Sequence, residues 1–138
     1  MSDSGSLTGD EVIRLLQLEA HPEGGYFRET FRDSKRVGDR SASTAIYFLL
    51  KQGEISGWHR IDSVEVWHWY GGAPIRIQIR NGEAPVETVL LGNNLLKNER
   101  PQVIVPAYAW QTAEPLGAWT LVGCTVAPGF EFAGFELA

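Results

Sequence analysis

The stretch "GEISGWHRIDSVEVWHWYGG", Gly53 to Gly72, gathers two of the chain's three histidines, three tryptophans and two glutamates, and closes on two glycines. Within it "VEVWHWY" alternates with a period of two: Glu65, Trp67 and Trp69 share one face, His68 and Tyr70 the other, which is the pattern of a strand. The same period appears downstream in "PIRIQIR", where Ile75, Ile77 and Ile79 face one way and Arg76, Gln78 and Arg80 the other. "STAIYFLL" has no polar face, and predicts a central strand covered on both sides, one of them by a second subunit. Short segments of this kind run from "YFRETF" to "AWTLVGCTVA", separated by turn signals at "GGAP", "RNGE", "LGNN" and "PLGA". Many short strands so spaced predict an all-β sandwich or barrel of the jelly-roll kind.

Upstream, "LTGDEVIRLLQLEA" predicts one short helix. Thr8 caps it, Glu11 completes a capping box, and Val12, Leu15 and Leu16 keep helical spacing until Pro22 and the glycines of "HPEGG" stop it. Residues 1–138 are read as a single domain, with Met1 to Ser6, small and polar, as a flexible tail. A net charge of −5 leaves no basic cluster to offset phosphate repulsion, so nucleic acid is not an expected partner. No apolar run approaches the roughly 20 residues that cross a bilayer, and the start lacks the basic and apolar regions of a signal peptide. With Cys124 alone there is no internal disulfide framework, and a cytoplasmic protein without membrane attachment is expected.

The opening stretch has a spacing of its own: Gly53, five residues, His59, one residue, Ile61, three residues, Glu65, six residues, Gly72. It resembles the first cupin motif at every position but one, since Ile61 stands where a second histidine belongs. The second cupin motif is echoed in "PAYAWQ", where Pro106 matches, Tyr108 replaces a glycine and Gln111 replaces a histidine. The blocks "HPEGGYFRETFR", "WHRIDSVEVWHWY", "VPAYAWQTA" and "LVGCTVAPGFEFAGFELA" resemble one cupin group in particular, the cupin-5 family, a domain of unknown function. The resemblance implies a double-stranded β-helix, usually paired into a homodimer, with a pocket inside the barrel. Tyr108 departs from the glycine common in that family's block and is expected to reshape the pocket mouth. The layout of "GGYFRETF" followed by a strand histidine is also similar to dTDP-dehydrorhamnose epimerases, which are metal-free cupins with a histidine base.

The departures bear on metal. A metal-binding cupin presents three histidines and a glutamate, whereas a divalent cation here would have His59, Glu65 and Gln111, and two good ligands with an amide make a poor transition-metal site. No cofactor is assigned, and a divalent metal on His59, Glu65 and Gln111 is kept as an alternative. His59 and Glu65 are the candidate catalytic residues, one as general base or acid, the other as its orienter or partner acid. Gln111 is read as a polar group that positions a ligand or satisfies Glu65. Trp67 and Trp69 are read as a stacking wall for a sugar or flat ring. Tyr26 and Arg28, on one face of "YFRET", are candidate contacts to an anionic substrate group. His68 joins the pocket only if a bulge turns it inward, and otherwise lies with Trp58, Arg60 and Tyr70 against a partner subunit. His21 is assigned no chemistry, and Cys124 is read as an inert core thiol.

The expected ligand is a small polar molecule, sugar or sugar nucleotide, and the expected chemistry is proton abstraction beside a carbonyl. Two alternatives stand beside it: a carbohydrate-binding module without catalysis, and a metal-dependent cupin enzyme.

Overall fold

The computed structural model describes residues 7–138; the tail expected at Met1 to Ser6 lies outside them. Helix α1 (Gly9–Leu16) begins with the expected capping box: the Thr8 hydroxyl accepts from the Glu11 amide and the Glu11 carboxylate accepts from the Thr8 amide. It ends earlier than the sequence suggests. Gln17 takes up a left-handed conformation (φ 57°), its amide bonds back to the carbonyls of Ile13 and Arg14, and the chain turns into a strand.

Fourteen strands follow: β1 (Glu19–Ala20), β2 (Tyr26–Arg32), β3 (Arg36–Val37), β4 (Arg40–Ser41), β5 (Thr44–Lys51), β6 (Ser56–Arg60), β7 (Val64–Gly72), β8 (Ile75–Arg80), β9 (Glu87–Leu91), β10 (Glu99–Arg100), β11 (Gln102–Val105), β12 (Trp110–Pro115), β13 (Trp119–Ala127) and β14 (Glu136–Leu137). They form two six-stranded sheets, ordered β1-β2-β5-β13-β7-β11 and β10-β9-β8-β12-β6-β14, with β3 and β4 as a separate hairpin. The sheets pack face to face. Phe48, Trp67 and Val122 from the first meet Ile75, Ile77 and Ile79 from the second, so the alternation in "PIRIQIR" points as the sequence predicts.

The other face of β5 is covered by this chain's own helix. Leu49 packs with Val12, Leu18 and Trp119, and the Trp119 indole donates to the Leu7 carbonyl. At the far end of the barrel two features build the site. The hairpin from β1 to β2 pairs Ala20 with Tyr26, leaving His21 to Gly25 as a tight loop closed by bonds from His21 N to Gly25 O and from Gly24 N to His21 O. Gly24 and Gly25 have φ of 102° and 81°, and a side chain on Gly24 would strike the Ile55 carbonyl, so both positions require glycine. The C-terminal segment then returns over the same end, β14 pairing Leu137 with His59.

Candidate functional site

The "HPEGG" loop is pinned to the start of β6 by a bond from Gly57 N to Glu23 O of 2.8 Å. This delivers the Glu23 carboxylate to His59, and the pair is the shortest contact between oppositely charged groups in the barrel interior: His59 Nε2 lies 2.7 Å from Glu23 Oε2, with both side chains almost sealed from solvent. The Ser56 hydroxyl donates to the same oxygen at 2.6 Å. On its other side His59 Nδ1 lies 2.7 Å from the Gly57 carbonyl, which can only accept. Both ring nitrogens therefore face acceptors, and an imidazolium satisfies both. Burial works against that charge, but the hydrogen bond and charge of Glu23, reinforced by Glu65, outweigh it and raise the His59 pKa. Burial likewise disfavours the Glu23 carboxylate, and the hydrogen bond and charge of His59, with the Ser56 hydrogen bond, overcome it and hold its pKa low.

Glu65 lines the same pocket but does not touch the ion pair's hydrogen bonds. Gln111, fully buried and opposite His59 in the β6–β12 register, donates from Nε2 to Glu65 Oε1 at 2.8 Å and accepts at Oε1 from the Trp67 indole at 3.0 Å. The indole can only donate, so it fixes which way the Gln111 amide points. For Glu65 burial dominates and raises the pKa, only partly countered by His59 and Gln111. Two carboxyl groups in one pocket are thus pushed in opposite directions, Glu23 towards the ionised form and Glu65 towards the acid.

The rest of the lining is mostly apolar, with Ile46 from β5, Ile61 just after β6, Val126 from β13, Phe27 from β2, and Phe130, Phe132 and Phe135 from the C-terminal segment, joined by the polar side chains of His21, Glu29 and Thr44. Phe135 stacks on His59 with ring centroids 5.5 Å apart. The recess is narrow, with about 40 Å³ in which the centre of a water-sized molecule fits, and has no Lys or Arg in its lining.

The structure brings His59 and Glu65 into one cavity and separates the other candidates from it. Gln111 sits behind Glu65. Trp67 is 1% exposed and fills the core between the sheets, and Trp69 packs at the edge of that core with its indole bonded to the Ala73 carbonyl. The expected stacking wall is therefore supplied by phenylalanines. Tyr26 and Arg28 occupy the face of β2 turned to the helix: Tyr26 packs in the Val12 cluster, and the Arg28 guanidinium bonds Gln17 Oε1 and the Leu16 carbonyl. Their neighbours Phe27 and Glu29, of opposite parity, line the pocket. β7 carries no bulge that turns His68 inward; its ring meets Thr125 and Gln102 on the outer face. Tyr108 is exposed and absent from the lining, though its φ of 66° is the conformation that favours the family's glycine.

Sequence reasoning missed Glu23, His21 and the C-terminal phenylalanines. The signal was a charged residue inside a glycine turn, "HPEGG", and an aromatic run, "GFEFAGF", without strand alternation.

As arranged, these side chains do not fit a transition metal. Both His59 nitrogens are committed, the Gln111 oxygen is held by Trp67, and Ile61 offers hydrocarbon. Among the described residues no three His, Cys, Asp or Glu side chains are grouped to hold an ion. Nor is any helix among them long and apolar enough to cross a membrane.

Two six-stranded antiparallel-rich sheets closed over such a pocket are a cupin β-sandwich. The family model described as "Cupin superfamily (DUF985)" matches residues 10–138, and the chain belongs to that family. A crystal structure of a Shewanella oneidensis protein is 36% identical, with a TM-score of 0.92, over 96% of this chain and 85% of that one. A hypothetical protein from Leishmania major is 30% identical, with a TM-score of 0.89, over 96% and 88%. Oxalate decarboxylase from Bacillus subtilis shares the fold at 16% identity and a TM-score of 0.67, over 86% of this chain and 29% of that one. No curated protein matches the chain.

Proposed function

We propose that this cupin performs metal-free acid–base chemistry on a small neutral molecule, moving a proton at a carbon beside a carbonyl as an isomerase or epimerase does. The observation that carries it is the sealed 2.7 Å contact between His59 and Glu23 at the wall of a largely apolar pocket. Glu23 Oε2 is occupied by His59 and Ser56, and Oε1 is the oxygen left to receive a proton. His59 keeps it ionised until then. Glu65, whose pKa burial raises, supplies the proton that a forming enol oxygen needs. The C–H electron pair becomes the enol double bond, the substrate proton goes to Glu23, and return of that proton to the neighbouring carbon, as the hydroxyl beside it gives its proton back to Glu65, restores both carboxyl groups.

Neutral keto sugars fit better than sugar nucleotides, because Glu23, Glu29 and Glu65 face the recess and no lysine or arginine lines it to receive a diphosphate. The homodimer that the family resemblance implies is supported by the outer face of the first sheet, where Val64 and Tyr70 of β7 and Ile104 of β11 are exposed.

Incubation of dihydroxyacetone and a panel of keto sugars in heavy water, read by proton NMR, tests the chemistry. The expected result is enzyme-dependent deuterium uptake beside the carbonyl, slowed about 100-fold or more in Glu23→Gln and His59→Gln. Uptake unaffected by both substitutions overturns the assignment, and saturable binding without uptake identifies a binding module.

A further inference from the structure

His21 was left without a role by the sequence, and the proton transfer above does not use it. Its ring nonetheless lines the pocket, with the side chain 5% exposed. It is held edge-on between Phe27 and Phe48, at centroid distances of 4.6 and 5.7 Å. The loop also settles its tautomer. The Glu23 amide donates to His21 Nδ1 at 3.1 Å, so the Nδ1 lone pair is spent on the backbone and a neutral ring must carry its proton on Nε2. An Nδ1 that accepts from the backbone amide carries no proton, and burial, the largest influence, lowers the His21 pKa in the same sense despite the nearby Glu23 charge. The 3.5 Å approach of Nδ1 to Glu23 Oε1 is then proximity between a lone pair and a carboxylate, and holds no ion pair. No protein group among the described residues accepts from His21 Nε2.

We propose that His21 is the pocket's fixed hydrogen-bond donor, presenting Nε2–H to the carbonyl or hydroxyl oxygen of a neutral polyhydroxylated ligand beside the Glu23 carboxylate. This deepens the function proposed above and rests on the same pocket being a ligand site. The geometry suits a carbonyl compound in particular. A neutral imidazole donates without bringing a positive charge that would pair with Glu23 and remove it as an acceptor, and the same loop holds both groups, so donor and acceptor stand in fixed relation. A ligand oxygen takes the N–H that the protein leaves unused, and a ligand that covers this point without an acceptor leaves the N–H unpaired at a cost. The site therefore selects ligands with an oxygen acceptor at this point over isosteric hydrocarbons.

With only three histidines, the long-range proton–nitrogen NMR spectrum of the intact protein resolves the ring of each. His21 is expected as a neutral ring protonated on Nε2 at neutral pH, and added dihydroxyacetone is expected to move its Nε2–H resonance saturably. His21→Asn retains an acceptor for the Glu23 amide but withdraws the donor from the pocket, and should weaken dihydroxyacetone binding about tenfold; His21→Gln reaches further and should recover most of it. A proton on Nδ1, a doubly protonated ring, or no saturable shift of Nε2–H with this probe overturns the proposal. Binding that shifts His21 while deuterium uptake is absent sinks the proton-transfer reading and leaves the donor assignment standing. Uptake that persists in His21→Asn with unchanged dihydroxyacetone affinity does the reverse.

Discussion

Removing the Glu23 carboxylate should reveal how strongly the His59 charge depends on it. The two side chains are 4% and 8% exposed, and at 2.7 Å the Coulomb attraction at an effective dielectric of 20 is about 6 kcal/mol before the cost of burying both ions is subtracted. Glu23→Ala leaves the imidazole without its acceptor and should cost about 3–5 kcal/mol, a fall in Tm of about 10–20 °C for a chain of this size. Glu23→Gln should cost only about 1–2 kcal/mol, because the amide offers a hydrogen bond to a His59 that has shed its proton. The difference between wild type and Glu23→Gln should also depend on pH with a definite sign. The raised His59 pKa contributes stability that is complete below the ordinary imidazole value and lost as pH rises through the folded value; the lowered Glu23 pKa contributes stability that is complete above the ordinary carboxylate value and lost as pH falls through the folded one. The gap is therefore widest on the weakly acidic to neutral side and narrows in both directions. Urea melts of the variants at a series of pH values measure it. A cost for Glu23→Ala below about 1 kcal/mol, or a wild-type-to-Gln gap that does not change with pH, refutes the reasoning.

Four further outcomes are expected. Tyr108→Gly should raise stability by about 0.5–1 kcal/mol in thermal melts, since a left-handed side chain that is 62% exposed costs more in backbone strain than its glycine replacement adds in unfolded-chain entropy. Trp67→Phe should lower it by more than its volume change alone suggests, about 2–3 kcal/mol in denaturant titrations, because the Gln111 oxygen loses its donor in the core. Elemental analysis of protein purified without a tag should find less than one transition metal per chain, and a stoichiometric ion would contradict the ligand arrangement described here. Sedimentation should show a dimer that Ile104→Arg shifts to monomer, with its charge placed on the exposed face of the edge strand β11.

Much of this architecture was legible because strand parity is a local property. The alternation around Ile75 to Ile79 and the Gly53 to Gly72 spacing placed inward faces correctly, and with them His59 and Glu65 in one cavity. Depth along a strand is not local. Glu65 and Trp67 share a face, yet the first borders the pocket and the second is buried 1% exposed in the core two residues on. Parity was also insufficient for Tyr26 and Arg28, because which face of β2 meets the pocket depends on where helix α1 packs. The decisive partner of His59 could not be read from spacing at all: Glu23 reaches it through a hairpin loop whose position is set by contact with Ile55 and Gly57. The C-terminal phenylalanines arrive in the same way, through a short pairing of β14 with β6 that no alternation announces.

The protonation of His59 decides between an active acid–base pair and an inert buried contact, and nitrogen NMR of the imidazole at neutral pH reads it directly. Two protonated ring nitrogens are expected in the wild type, with a single proton on Nδ1 after Glu23→Gln. A neutral His59 ring in the wild-type protein at that pH would contradict the account.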